Sequence, residues 1–255
     1  MSQRGLLPAR AVGAAAELSR KLGIYRAARA AYRTIDPRVR ARVAGECAFY
    51  RQFVPQGALV FDIGANKGQK TEIFRLLGAR VVAVEPNPRA VEVLGALVAS
   101  DTNVEIVEAA MGAAPGRATL HARGTASTAS LREDWPFCLY DEWDAFDVSV
   151  ETLDSLIARF GVPDFCKIDV EGFELDVLRG LSRPLPLLSF EFFVGERDRL
   201  EACLSHLEAL GPIEVNAIEM EVHNLLFREW IPPRRFLAEI AATGVPLGDL
   251  FVRSA

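Results

Sequence analysis

An apolar run that contains an acid and passes straight into a glycine-spaced turn is the first place in this chain where chemistry is readable. In Leu59-Val60-Phe61-Asp62-Ile63-Gly64-Ala65-Asn66-Lys67-Gly68 a strand pattern meets a turn, and a helical pattern starts near Gln69. Gly64 and Gly68 lack the Cβ atoms that would block a ligand from the backbone, and the helix offers free N–H groups in its first turn. A second acid, Glu85, ends the run Arg80-Val81-Val82-Ala83-Val84. It follows the first glycine by about 20 residues, the distance at which a carboxylate can hold ribose hydroxyls. A dinucleotide site uses G-x-G-x-x-G with an anion at the helix N-terminus. This loop has G-x-x-x-G with Asp62 beside it, an acid that suits the sulfonium and ammonium of S-adenosylmethionine and repels a pyrophosphate. An NAD-dependent oxidoreductase on a Rossmann-like fold is the alternative.

A second group of ionisable residues lies further along. Asp169 closes the apolar run Phe165 to Val170, and the carboxyl ends of strands border the ligand crevice of a doubly wound sheet. Lys167 and Glu171 fall on its side by period-two alternation. Glu171 can equally cap the next helix, and Lys167 can pair with a neighbouring acid. Glu191 interrupts Leu187-Leu188-Ser189-Phe190-Glu191-Phe192-Phe193, where an unpartnered carboxylate is expensive, so it needs a partner or a task. Asp169, Glu191 and Lys167 are the catalytic candidates, with the two acids as base and orienter. They can also hold a divalent cation, but no full oxygen-ligand set can be counted, and no metal ligand is assigned. His121, His206 and His223 are scattered, and only His121 and His223 can reach the crevice. Thr125 to Ser130 can offer hydroxyls; Trp135, Phe137, Tyr140 and Trp143 can wall an acceptor pocket or pack in the core.

Three stretches together resemble the FkbM family of methyltransferases: Val60 to Gly68, Val84-Glu85-Pro86-Asn87-Pro88, and Lys167-Ile168-Asp169-Val170-Glu171-Gly172-Phe173-Glu174. The resemblance covers roughly Leu59 to Phe193. It implies a seven-stranded class I methyltransferase sheet, S-adenosylmethionine as cofactor, and O-methylation of a sugar, glycan or polyketide-type natural product; a non-hydroxyl acceptor is the variant reading. The cofactor residues expected are Asp62, Gly64, Ala65, Asn66, Gly68, Glu85, Pro86 and Asn87. Ala110, in the small-residue pair after the third strand, is expected against the adenine.

These residues need a frame that brings strand ends together. From Ala58, apolar runs alternate with helical segments: Gln69 to Leu77, Pro88 to Ala99, and Val104 to Val107 as a third strand. That order predicts an α/β, Rossmann-like fold with a mostly parallel sheet and helices on both faces. Residues 112 to 147 show no sustained period and read as an acceptor-side loop or short-strand insertion. Helices are expected at Leu153 to Phe160, Phe173 to Leu181 and Arg197 to Leu210. Strands are expected at Val148 to Val150, Ile213 to Ile218, Asn224 to Trp230 and Gly248 to Arg253. Residues 12 to 33 read as a helix, after which Pro37 and Gly45 punctuate the way into the core.

Of 255 residues, 50% are apolar and 25% charged, which supports one catalytic domain, 46–255, behind a basic helical extension, 1–45. The net charge of −5 hides an asymmetry, since Arg4, Arg10, Arg20 and Lys21 belong to a strongly basic leader. That leader can touch an anionic membrane peripherally, though docking on its own acidic domain or a simple solvated helix is the simpler reading. An acidic core argues against nucleic acid as partner. Arg10 breaks any signal-peptide apolar region, and no apolar run is long enough to span a bilayer. Four scattered cysteines without C-x-x-C spacing point to a reduced, cytoplasmic setting. Oligomeric state is not readable.

Overall fold

The computed structural model describes residues 19, 24–99, 101–122, 129–130, 144–220 and 222–255. The chain forms helices α1 (Tyr25–Ile35) and α2 (Pro37–Tyr50), then β1 (Leu59–Ile63), α3 (Gln69–Leu76), β2 (Arg80–Val84), α4 (Pro88–Val98) and β3 (Val104–Val107). Strands β4 (Ala110–Met111), β5 (Gly116–Ala122), β6 (Ala129–Ser130) and β7 (Asp144–Glu151) follow, then α5 (Leu153–Phe160), β8 (Phe165–Ile168), α6 (Glu174–Arg179) and β9 (Leu187–Phe193). Helix α7 (Arg197–Leu210), β10 (Ile213–Glu219), α8 (Pro233–Glu239) and β11 (Leu247–Ser254) complete the order.

The main sheet has seven strands in the order β10-β11-β9-β8-β1-β2-β3. All neighbours pair in parallel except β11, which runs antiparallel to both β9 and β10. The chain steps outward from β1 to β2 and β3, then returns to lay β8 on the other side of β1. This reversal is the topological switch point, and it opens a crevice at the carboxyl ends of β1 and β8.

Alternation along the strands separates two apolar faces. Phe61, Ile63, Val82, Cys166 and Phe190 face α5, α6, α7 and α8. Val60, Val81, Phe165, Leu187 and Phe251 face α2, α3 and α4. Helices therefore cover both faces, as expected for near-continuously apolar parallel strands. Helix starts follow their capping chemistry. Asn87 accepts from Arg89 N ahead of Pro88, and Thr152 and Ser155 form a reciprocal capping box.

Several sequence expectations shift. Pro37 begins a helix instead of interrupting one, because Asp36 caps it and proline tolerates the first helical turn. Gly45 lies inside α2, where an added Cβ would meet nothing within 4 Å. Of the two forms expected for 112–147, a loop or a short-strand insertion, the described residues take the second: Gly116–Ala122 pairs antiparallel with β7 in a four-stranded sheet of order β4-β7-β5-β6. Residues 224–230 form no strand. The Asn216 side chain donates to the carbonyls of Phe227 and Glu229 and accepts from Phe227 N, so one amide anchors a segment expected to pair along its length. Backbone contact with β10 is limited to an isolated bridge, Val215 to Ile231, and a hydrogen bond from Leu226 N to Ala217 O. The described part of the basic leader docks on its own domain: Arg26 pairs with Asp101 at 3.2 Å and Arg29 with Glu72 at 2.9 Å.

The fold itself gives the glycines of the turn after β1 a reason of their own. Gly64 has φ +79, and a Cβ there would stand 1.8 Å from the carbonyl oxygen of Asp169. Gly68, φ +83, precedes α3, and its Cβ would press Leu94 and Leu97 at 2.7 and 2.8 Å. Both glycines let segments of the protein approach one another. Gly57 shares the positive φ, +81, but faces open space. Gly57→Ala should therefore cost only the left-handed strain of about 1–2 kcal/mol. Gly64→Ala adds a backbone collision and should cost about 3 kcal/mol or more. Urea unfolding of the two variants checks this; equal losses would contradict the contact with Asp169.

Candidate active site

A cavity of about 450 Å³ lies at the switch point, between the strand ends and α2. The side that carries the expected cofactor residues is built by the turns after β1, β2 and β3. Asp62, Gly64, Ala65 and Asn66 line it from the first turn, and Glu85, Pro86 and Asn87 from the second. Ala110 lines it beyond β3, beside Ala109, and both are almost fully buried. Gly68 is the one expected cofactor residue that stays off the wall, for the packing reason above.

Glu85 is 5% exposed and accepts from Asn66 N and Asn87 N, each at 2.8 Å. Burial pushes its carboxyl up to about 7, against the pull of those two amides and with Asp62 and Asp169 adding repulsion. The two hydrogen bonds also tie the loop after β1 to the loop after β2. Asp62 is 1% exposed and accepts from Thr71 Oγ1 at 2.6 Å. Burial raises its carboxyl, opposed by the Thr71 hydroxyl and then by Lys167.

The other half of the cavity carries Asp169, Glu171, Glu191 and Asp249. Strand β8 ends at Ile168, one residue before Asp169, whose N–H donates to Ile63 O and keeps the ladder going. Glu171 leaves the strand register, with φ +48, and α6 starts from Phe173 without a side-chain cap. Neither the alternation nor the capping role expected of Glu171 holds. Lys167 lies behind the wall, 2% exposed, and donates to Asp169 Oδ2 at 2.7 Å. Burial opposes its charge, but Asp169, Asp249 and Tyr50 hold it well above the ordinary lysine value, so it stays a cation.

Glu191 stands directly across from Asp249 in the antiparallel register of β9 and β11. Burial, then Asp169, Glu171 and Asp249, push its carboxyl up to about 8. Sequence reasoning missed Asp249, although it breaks an apolar strand just as Glu191 does. It also missed three residues of α2 that line the cavity, Arg42, Glu46 and Tyr50. Their i, i+4, i+8 spacing, with Phe49 beside them, was the available signal. Among the histidines, His223 lines the cavity, held below its ordinary value by burial, while His206 sits on α7 and His121 on β5, both away from the lining. Thr125 to Thr128, Trp135, Phe137, Tyr140 and Trp143 lie outside the described residues.

The Methyltransferase FkbM domain matches residues 62–228, about two thirds of the chain. The chain belongs to the FkbM methyltransferase family. It is accordingly an S-adenosylmethionine-dependent methyltransferase, and the hydride-transfer alternative falls. Three solved structures are similar in outline. Precorrin-6y C5,15-methyltransferase from Geobacter metallireducens has 13% identity and a TM-score of 0.45, over 84% of this chain and 87% of that one. The TehB-like SAM-dependent methyltransferase from Corynebacterium glutamicum has 13% identity and 0.46, over 83% and 88%. Aeropyrum pernix fibrillarin, with natively bound S-adenosyl-L-methionine, has 10% identity and 0.47, over 83% and 74%. A comparison with curated proteins finds no match.

The residues of this FkbM methyltransferase fit its cofactor chemically. Glu85 presents a buried carboxylate for a ribose diol, and Asp62 an acid beside the turn for an ammonium. Ala109 and Ala110 leave flat space for a ring. No group of three or more potential metal ligands occurs among the described residues, and no helix among them is long and apolar enough to cross a membrane.

The raised acids make stability depend on pH in a defined direction. From the ordinary carboxylate value to about 8, the folded chain keeps protons on Glu85 and Glu191 that the unfolded chain has lost, so stability falls as pH rises through that window. The thermal midpoint of the cofactor-free protein should drop between pH 5 and 8.5. Glu191→Gln should flatten the upper part of the drop; an equally steep fall in that variant would show that Glu191 titrates normally.

Proposed function

We propose that the chain methylates a hydroxyl oxygen of a sugar, glycan or polyketide-type natural product, and that Glu191 takes the hydroxyl proton. The observation that carries this reading is the placement of Glu191: a carboxyl at a strand end, lining the cavity, raised to about 8 by burial and by neighbouring acids. A base of that strength suits an alcohol far better than an ordinary carboxylate does. S-adenosylmethionine, when bound, supplies a methyl carbon made electrophilic by its sulfonium.

The chain's own residues have separate tasks. Glu85 holds the ribose hydroxyls, Asp62 the ammonium, and the backbone of Gly64, Ala65 and Asn66 shapes the wall, with Pro86, Asn87 and Ala110 around the adenosine. Asp169, fixed from behind by Lys167, accepts from a neighbouring hydroxyl of the acceptor and so turns the lone pair of the reacting oxygen towards the methyl, leaving the reacting proton to Glu191. In-line transfer needs this alignment more than it needs further covalent help. Met111, Leu120 and Phe173 give the cavity an apolar side against which a carbon skeleton can lie, and they help exclude water. Acids dominate the lining, so a phosphorylated acceptor or nucleic acid is disfavoured and a neutral polyol or polyketide is not. The buried cysteines Cys166 and Cys203 are free thiols, which suits a cytoplasmic setting.

Turnover with a panel of glycans and polyketide alcohols and labelled cofactor tests the reading. In the wild type the kcat/KM profile should rise towards a plateau with a limb near the Glu191 value of about 8. Glu191→Gln should lower kcat about 100-fold or more while cofactor affinity stays within about twofold. The product should carry a methoxy carbon by NMR. A methyl group on nitrogen or carbon, or an unimpaired Glu191→Gln enzyme, would overturn it.

A further inference from the structure

The charges along the cavity wall leave one end of the cofactor with few places to go. S-Adenosylmethionine carries a carboxylate besides its ammonium and sulfonium. The described lining holds Glu46, Asp62, Glu85, Asp169, Glu171, Glu191 and Asp249. Against these acids the only lysine or arginine side chains on the wall, among the described residues, are Arg42 and Lys70. Lys167, the other nearby cation, is buried behind Asp169 and bonded to it. His223 is held below its ordinary value by burial. An anion entering this cavity is repelled from most of it and drawn towards one spot.

That spot is constructed. Glu46 is 3% exposed and takes Arg42 Nη1 on one oxygen at 2.7 Å and Lys70 Nζ on the other at 2.6 Å. One buried carboxylate thus holds two cations side by side and leaves the cluster with net positive charge. Tyr50 supports it from below, with its ring 5.4 Å from Lys70 Nζ. Arg42, Glu46 and Tyr50 occupy one stripe of α2, and Lys70 follows Gly68 by two residues in α3. The cluster therefore adjoins the same turn that carries Asp62.

We propose that Arg42 and Lys70, positioned by Glu46, bind the methionine carboxylate of the cofactor, so that α2 is part of the cofactor site. Asp62 and this pair then hold the two charged ends of the amino acid between them. Arg42 lies within the basic leader as the sequence divides it. A chain started at residue 46 would lose half of the grip.

Calorimetry with two commercially available ligands separates this role from a general effect on the fold. S-Adenosylhomocysteine keeps the amino-acid end; 5′-methylthioadenosine has the adenosine and sulfur but no carboxylate or ammonium. In Arg42→Ala and in Lys70→Met, affinity for S-adenosylhomocysteine should fall about tenfold, the loss of one charge-assisted hydrogen bond. Affinity for 5′-methylthioadenosine should stay within about twofold, which also reports that the variant is folded. Arg42→Lys and Lys70→Arg, which keep the charge, should retain most of the S-adenosylhomocysteine affinity. Losses below about twofold in both neutral variants, or equal losses for the two ligands in variants with wild-type melting, would overturn the proposal. Wild-type protein that binds neither ligand would instead strike the reading of the cavity as a cofactor site. The outcome is independent of which acceptor is methylated.

Discussion

Two chain reversals, one after β1 and one after β8, stand so close that the Asp169 carbonyl oxygen occupies the space a Gly64 side chain would need. The rest of the site hangs on this contact. Asp169 N donates to Ile63 O, so the two strand exits are also hydrogen-bonded. Gly64 and Ala65 in turn both donate to Val84 O, and Asn66 donates to Glu85. The loops after β1, β2 and β8 are therefore one hydrogen-bonded unit. The two sides of the cavity are positioned by the same few backbone atoms, the rigidity that in-line transfer between two bound molecules would need.

Electrostatics imposes the second constraint. The face of the sheet that is apolar along Val60, Phe165, Leu187 and Phe251 continues towards the cavity as Asp62, Lys167, Ser189, Glu191 and Asp249, the last near the start of antiparallel β11. Alternation puts all five on one side, beneath α2. Burial, and then the crowding of these carboxylates, raises Glu191 to about 8. Lys167 sets a fully buried cation beneath the stripe, bonded to Asp169. The arrangement is costly to stability, because two of these acids are more comfortable protonated, and it is the kind of local cost that functional sites carry.

Much of this was readable from residue order. The sheet with its crossover helices, the turn from Asp62 to Gly68, Glu85 and the Lys167 to Glu174 stretch all announce themselves, because periodicity and short motifs are local properties. Asp62, Ala65, Asn66, Glu85, Asp169 and Glu191 do meet at one cavity. What escaped is non-local. The reason for Gly64 lies over a hundred residues away at Asp169, and no local pattern reports it. Asn216 replaces a strand with side-chain hydrogen bonds, so an apolar segment after β10 mimics a strand it does not form. Asp249 was legible only as a break in an apolar run, and its meaning depends on the register opposite Glu191. Glu171 was misread because the strand stops before it and the backbone turns left-handed.

The same reasoning decides how α2 should be regarded. A helix that merely preceded a domain would have an interchangeable inner face, yet this one buries Phe49 and Tyr50 in an aromatic cluster with Phe53, Phe74, Phe165 and Phe251. Rings packed edge-to-face at centroid distances near 5 to 6 Å fix both the rotation of the helix and its height over the sheet. Once Tyr50 is fixed, helical geometry leaves Glu46 and Arg42 no choice of direction, since residues four apart share a face. They must project over the carboxyl ends of the strands, where the polar stripe begins. The aromatic core thus determines not only that the first helices stay attached but which of their side chains enter the cavity, and composition alone, which marks this region as a basic leader, hides that α2 forms part of the cavity wall.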